Sequence, residues 1–122
     1  METSLPAGPP VTVTINRTGG IAGVNEEITI APSGAWSYSS RRPAKTEAGR
    51  LTEAELAQLT RLAHDPGLAE EAAKTRPGQC NDGFLYNVSV GGSKLSFEDC
   101  GARSEQPTFE ELMRLITAAT AM

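Results

Sequence analysis

Val11-Thr12-Val13-Thr14-Ile15-Asn16-Arg17-Thr18-Gly19-Gly20-Ile21-Ala22-Gly23-Val24-Asn25-Glu26-Glu27-Ile28-Thr29-Ile30-Ala31 decides how this chain folds. Val11, Val13 and Ile15 alternate with Thr12, Thr14 and Asn16, the period of a half-buried strand. Ile28 and Ile30 alternate with Glu27 and Thr29 in the same way. Val11–Arg17 and Asn25–Ala31 therefore read as two strands of an antiparallel hairpin. A minimal hairpin needs about two turn residues. Here the segment from Thr18 to Val24 supplies Gly19, Gly20 and Gly23 together with the aliphatics Ile21 and Val24. Glycine admits positive φ and lets another backbone come close. Ile21 and Val24 would either fold back on the core or offer apolar surface to a partner.

Downstream, Pro32-Ser33-Gly34 reads as a turn and Ala35–Ser39 as a short third strand. Ser40–Gly49 is polar, contains Arg41-Arg42-Pro43, and reads as an exposed connection. Thr52-Glu53-Ala54-Glu55 is a capping box at a helix start. Leu56, Leu59, Leu62 and Ala63 follow at helical spacing, and His64-Asp65-Pro66-Gly67 ends the helix. Leu68–Lys74 adds at most a short helical turn.

Phe84–Val90 and Ser93–Asp99 form a second hairpin around Gly91-Gly92, a pair suited to a primed two-residue turn. Phe84, Tyr86, Val88 and Val90 share one face, opposite Leu95 and Phe97. A second capping box, Thr108-Phe109-Glu110-Glu111, follows Pro107. It opens a last helix with Leu112, Leu115, Ile116 and Ala119 on one side. The expected fold is α+β. An antiparallel sheet of four to five strands carries two helices on one face, in the order β-β-β-α-β-β-α.

At 122 residues the chain suits one domain, 11–122, behind a flexible leader at 1–10. That leader, with Pro6, Gly8, Pro9 and Pro10, resembles what remains behind a cleaved export signal or lipid anchor, although a natural cytosolic start reads the same way. Cys80 and Cys100 flank the second hairpin and fall nearly opposite each other at its open end. A bridge there would close a loop of about 20 residues and add roughly 3 kcal/mol. It implies an oxidising compartment, secreted or cell envelope.

A net charge of −4 disfavours nucleic acid as a partner, because phosphate binding needs a basic footprint. No apolar run reaches the roughly 18–20 residues that span a membrane. Enzyme chemistry finds few candidates. His64, the single histidine, sits where its charge suits a helix C-terminus. One histidine and two bridged cysteines give no metal spacing. Adjacent strand residues point to opposite faces, so neither Glu26-Glu27 nor Glu98-Asp99 makes an acid/base pair. The segment after Arg17 lacks the Lys-Ser/Thr ending of a phosphate loop, and a strand follows it instead of a helix. A non-enzymatic binding module without cofactor remains.

Arg17-Thr18-Gly19-Gly20-Ile21-Ala22-Gly23-Val24 resembles the Arg-Ser/Thr-Gly-Gly-Phe-Ala-Gly-Ile of the emfourin family. These are small proteinaceous inhibitors of thermolysin-like zinc metallopeptidases, protealysin among them. The capped helix Leu51–His64, the hairpin Phe84–Glu98 and a closing helix after a proline extend the resemblance over roughly 11–119. Ile21 stands where the family has an aromatic, and Cys80 and Cys100 fall outside its usual pattern. The resemblance implies a monomeric inhibitor that occludes a peptidase cleft. Its contact residues would be Thr18, Gly19, Gly20, Ile21, Ala22, Gly23 and Val24. A different class stays open, an exported cell-envelope or lipoprotein interaction domain.

Overall fold

The computed structural model describes residues 11–19, 24–41, 44–74, 84–99 and 106–122. The leader at 1–10, Gly20 to Gly23, Cys80 and Cys100 lie outside them. The alternation in the first hairpin becomes β1 (Val13–Gly19) and β2 (Val24–Ile30), paired antiparallel with Ile15 opposite Ile28. β3 (Ala35–Arg41) returns beside β2, and β4 (Ala44–Arg50) beside β3. After the helices, β5 (Phe84–Val90) pairs with the other side of β1, and β6 (Ser93–Asp99) with β5. The result is one antiparallel sheet in the order β4-β3-β2-β1-β5-β6. In the second hairpin Val90 pairs with Ser93 around Gly91-Gly92, as the two-residue turn requires.

One face of the sheet carries Val13, Ile15, Ile28, Ile30, Tyr38, Tyr86, Val88 and Phe97, all buried. The helices α1 (Glu53–Ala63), α2 (Pro66–Lys74) and α3 (Pro107–Ala119) bury Leu59, Leu62, Leu68, Phe109, Leu112, Met113 and Ile116 in the same core. Phe109 is the hinge pin of the two layers. It stacks on Phe97 at 4.1 Å and meets Tyr86 edge-on at 5.1 Å, the latter a favoured aromatic geometry. The opposite face, with Thr14, Asn16, Thr29, Ser37, Asn87 and Ser96, is polar.

Six strands and three helices among the described residues correct the expected four to five strands and two helices. The polar stretch read as an exposed connection contains β4, whose seven residues are all exposed. An edge strand draws its hydrogen bonds from one neighbour and needs no buried face, so it leaves no apolar alternation to read. What fastens it is a cross-strand pair, Trp36 opposite Gly49. A Cβ on Gly49 would come within 2.5 Å of Trp36 Cζ2. The indole lies directly over the glycine backbone, an aromatic covering a strand glycine. The short turn expected at 68–74 is the full helix α2, entered through Pro66 at its first position.

The first capping box is present: the Glu55 amide donates to Thr52 Oγ1 at 3.1 Å and the Thr52 amide to Glu55 Oε1 at 2.8 Å. The second is not. Gln106 is the N-cap of α3 and makes no side-chain cap, and Pro107 opens the helix. The orphan amides of Thr108 and Phe109 donate instead to Glu71 Oε2 and Oε1 of α2, both at 2.9 Å. Glu71 is buried, so one carboxylate from a neighbouring helix does the work that the local sequence suggested for Thr108. It also answers the positive end of the α3 dipole.

Candidate functional site

β1 runs two residues farther than its alternation suggests. Thr18 pairs with Asn25 on one side and Leu85 on the other, and Gly19 pairs with Val24 and Phe84. Gly19 adopts φ 111°, a left-handed value that a side chain would strain. Three of the seven expected contact residues, Thr18, Gly19 and Val24, therefore belong to the ladder. Gly20, Ile21, Ala22 and Gly23 make the connection and lie outside the described residues, as does the Val24 side chain. The connection is four residues between paired strands, shorter than the seven read from sequence. Arg41 and Ala44, and Phe84 and Asp99, pair at this same end of the sheet.

Two residue pairs inside the Gly19–Val24 end of the hairpin, on the helix-facing side, a polar lock ties three strands together. Glu26 of β2 is buried. Arg17 of β1 donates through Nε to Glu26 Oε2 at 2.8 Å and through Nη2 to the same oxygen. Tyr38 of β3 donates its hydroxyl to Glu26 Oε1 at 2.5 Å. The Arg17 guanidinium lies 5.1 Å from the ring centre of Phe84 on β5, a cation–π contact. Burial opposes the Arg17 charge, but interactions with Glu26 and Tyr86, led by the hydrogen bond to Glu26, more than compensate and raise its pKa. Burial first, and then the hydrogen bond to Glu26, push the Tyr38 hydroxyl above its ordinary pKa. On the polar face, Asn16 Nδ2 donates to the Glu26 carbonyl at 3.2 Å. The hairpin is braced from both faces at Glu26.

The sequence reading missed this lock. The available signal was an arginine and a glutamate placed symmetrically about the glycine-rich segment, which pair once the strands extend to Gly19 and Val24. Glu26 and Glu27 do point to opposite faces, Glu26 inward and buried, Glu27 outward and exposed. His64 is the C-cap of α1. It borders a cleft with Leu68, Val90 and Gly91, at the end of the sheet away from Gly19. Glu26 does not line that cleft. Among the described residues, no three His, Cys, Asp or Glu side chains gather as a metal site. Among the same residues, no helix is long and apolar enough to cross a membrane.

No family model matches the chain, and no curated protein matches it.

Proposed function

We propose that this protein is an inhibitor of thermolysin-like zinc metallopeptidases that acts by inserting the 20–23 connection into the substrate cleft. The observation that carries the reading is the lock of Arg17, Glu26 and Tyr38, two residue pairs inside the end of the hairpin that carries that connection. A loop mounted on strands already fixed by buried hydrogen bonds loses little conformational entropy on binding. Ile21 is the side chain suited to an apolar specificity pocket, and Gly20 and Gly23 allow the backbone to approach the enzyme closely. The resemblance of 17–24 to the emfourin pattern supplies the class of target. Export, with a bridge between Cys80 and Cys100, completes the proposal.

Titration into a panel of thermolysin-like peptidases tests it. The expected result is dose-dependent loss of peptide hydrolysis with the chain recovered uncut. Full peptidase activity across the panel at micromolar protein would refute it. Intact mass without reductant tests the bridge separately: the expected chain is two hydrogens lighter than its reduced form.

A further inference from the structure

Strand β4 is the outer edge of the sheet and pairs only with β3 among the described residues. All seven of its residues are exposed. The backbone N–H and C=O groups on its outer side are a template for another strand. Natural edges are commonly blunted with charge. Here the charges are of opposite sign and stand two apart, on one face. Lys45 Nζ lies 2.6 Å from Glu47 Oε2.

We propose that β4 pairs antiparallel with β4 of a second copy, joining two six-stranded sheets into one through a two-fold axis at Thr46. The Lys45 and Glu47 charges favour this register over those centred on either neighbouring residue. A two-fold axis normal to the sheet keeps each residue on its own face, so permitted registers differ in steps of two residues along each strand. With Thr46 opposite Thr46 of the second copy, Lys45 faces Glu47 of that copy and Glu47 faces its Lys45. Opposite charges set directly across an antiparallel pair stabilise it. Moving the axis to Glu47 sets two carboxylates against each other, and moving it to Lys45 sets two ammonium groups together. On the other face, Ala44 meets Ala48 of the second copy beside the Thr46 pair, all small enough to allow close approach. The axis turns one copy end over end, so the Gly19–Val24 ends of the two sheets lie at opposite ends of the joined sheet. The proposal is independent of the peptidase reading, and it replaces the monomer expected from sequence.

Sedimentation equilibrium on the whole chain, from micromolar to near-millimolar concentration, tests this. The mass should climb from 12.9 kDa toward twice that value. Lys45→Glu and Glu47→Lys each set like charges opposite one another twice by symmetry, and each should weaken the dimer by about tenfold or more. The double variant Lys45→Glu/Glu47→Lys restores the complementary pairs and should dimerise within about twofold of the original. Both positions are exposed, and circular dichroism verifies that the variants fold. A mass fixed at one chain throughout, a dimer indifferent to the single reversals, or a double variant as weak as the singles would each overturn the proposal.

Discussion

β5 and β4 are strands of equal length in one sheet, and they are held on opposite terms. β5 sits between β1 and β6, with Tyr86 and Val88 buried under Phe109 and the rest of the helical layer. β4 has a neighbour on one side only and no buried residue. The first is held by removal of apolar surface from water, the second by backbone pairing and one indole laid over a glycine. The difference separates two tasks. The helix-covered side of the sheet supplies the stability, which frees the β3–β4 side to be polar and available to other chains.

The largest expected effect is in the covered half. Phe97→Ala removes a fully buried ring from its stack with Phe109 and should cost about 3–5 kcal/mol in chemical denaturation. A loss below about 1 kcal/mol would mean that the Phe97–Phe109 stack does not hold the two layers together. Arg17→Met strips the cation from a buried carboxylate. Because the Arg17 side chain keeps 23% exposure, about 2–3 kcal/mol is expected, below the usual range for a fully buried pair. Glu71→Ala leaves the Thr108 and Phe109 amides without their acceptor and should cost about 1–3 kcal/mol, by thermal or chemical unfolding.

Effects at the edge should be smaller and local. Gly49→Ala forces Trp36 aside and should cost about 1 kcal/mol. Hydrogen exchange should show lost protection in β4 with β5 unchanged, and equal loss in both would erase the contrast between them. Thr46→Ala, exposed on both sides, should stay within about 0.5 kcal/mol at concentrations where the chain is monomeric.

The lock of Arg17, Glu26 and Tyr38 has a pH signature of its own. Tyr38 has a folded-state pKa raised above the ordinary value of about 10. It binds its proton more tightly folded than unfolded. Its contribution is therefore complete below the unfolded value and is lost as pH rises through the folded one. Stability measured against pH should fall above about pH 10, with a shallower fall in Tyr38→Phe.

Legibility follows the same division. Wherever a strand buries one face, its alternation announces it. That is why β1, β2, β5 and β6 and the register around Gly91-Gly92 could be read from residues alone. β4 could not, since Ala-Lys-Thr-Glu-Ala-Gly-Arg has no buried face to imprint a pattern, and its anchor, Trp36, is a tertiary contact. Glu71 shows the limit for helix ends: Thr108 satisfies the local capping rule, yet a carboxylate distant in sequence takes the amides. At the candidate site the glycine-rich segment was visible as an unusual connection. Its true bounds were not, because pairing of Thr18 and Gly19 on both sides of β1 depends on β5, far along the chain. The lock of Arg17, Glu26 and Tyr38 needs that register before its members meet.

The central claim is that a braced hairpin presents residues 20–23 to a peptidase cleft. The most direct measurement is the inhibition constant against a responsive thermolysin-like enzyme for the original chain and for Ile21→Asp, with thermal stability measured on both. The account predicts loss of inhibition in Ile21→Asp at unchanged stability. Equal inhibition by the two proteins would contradict it.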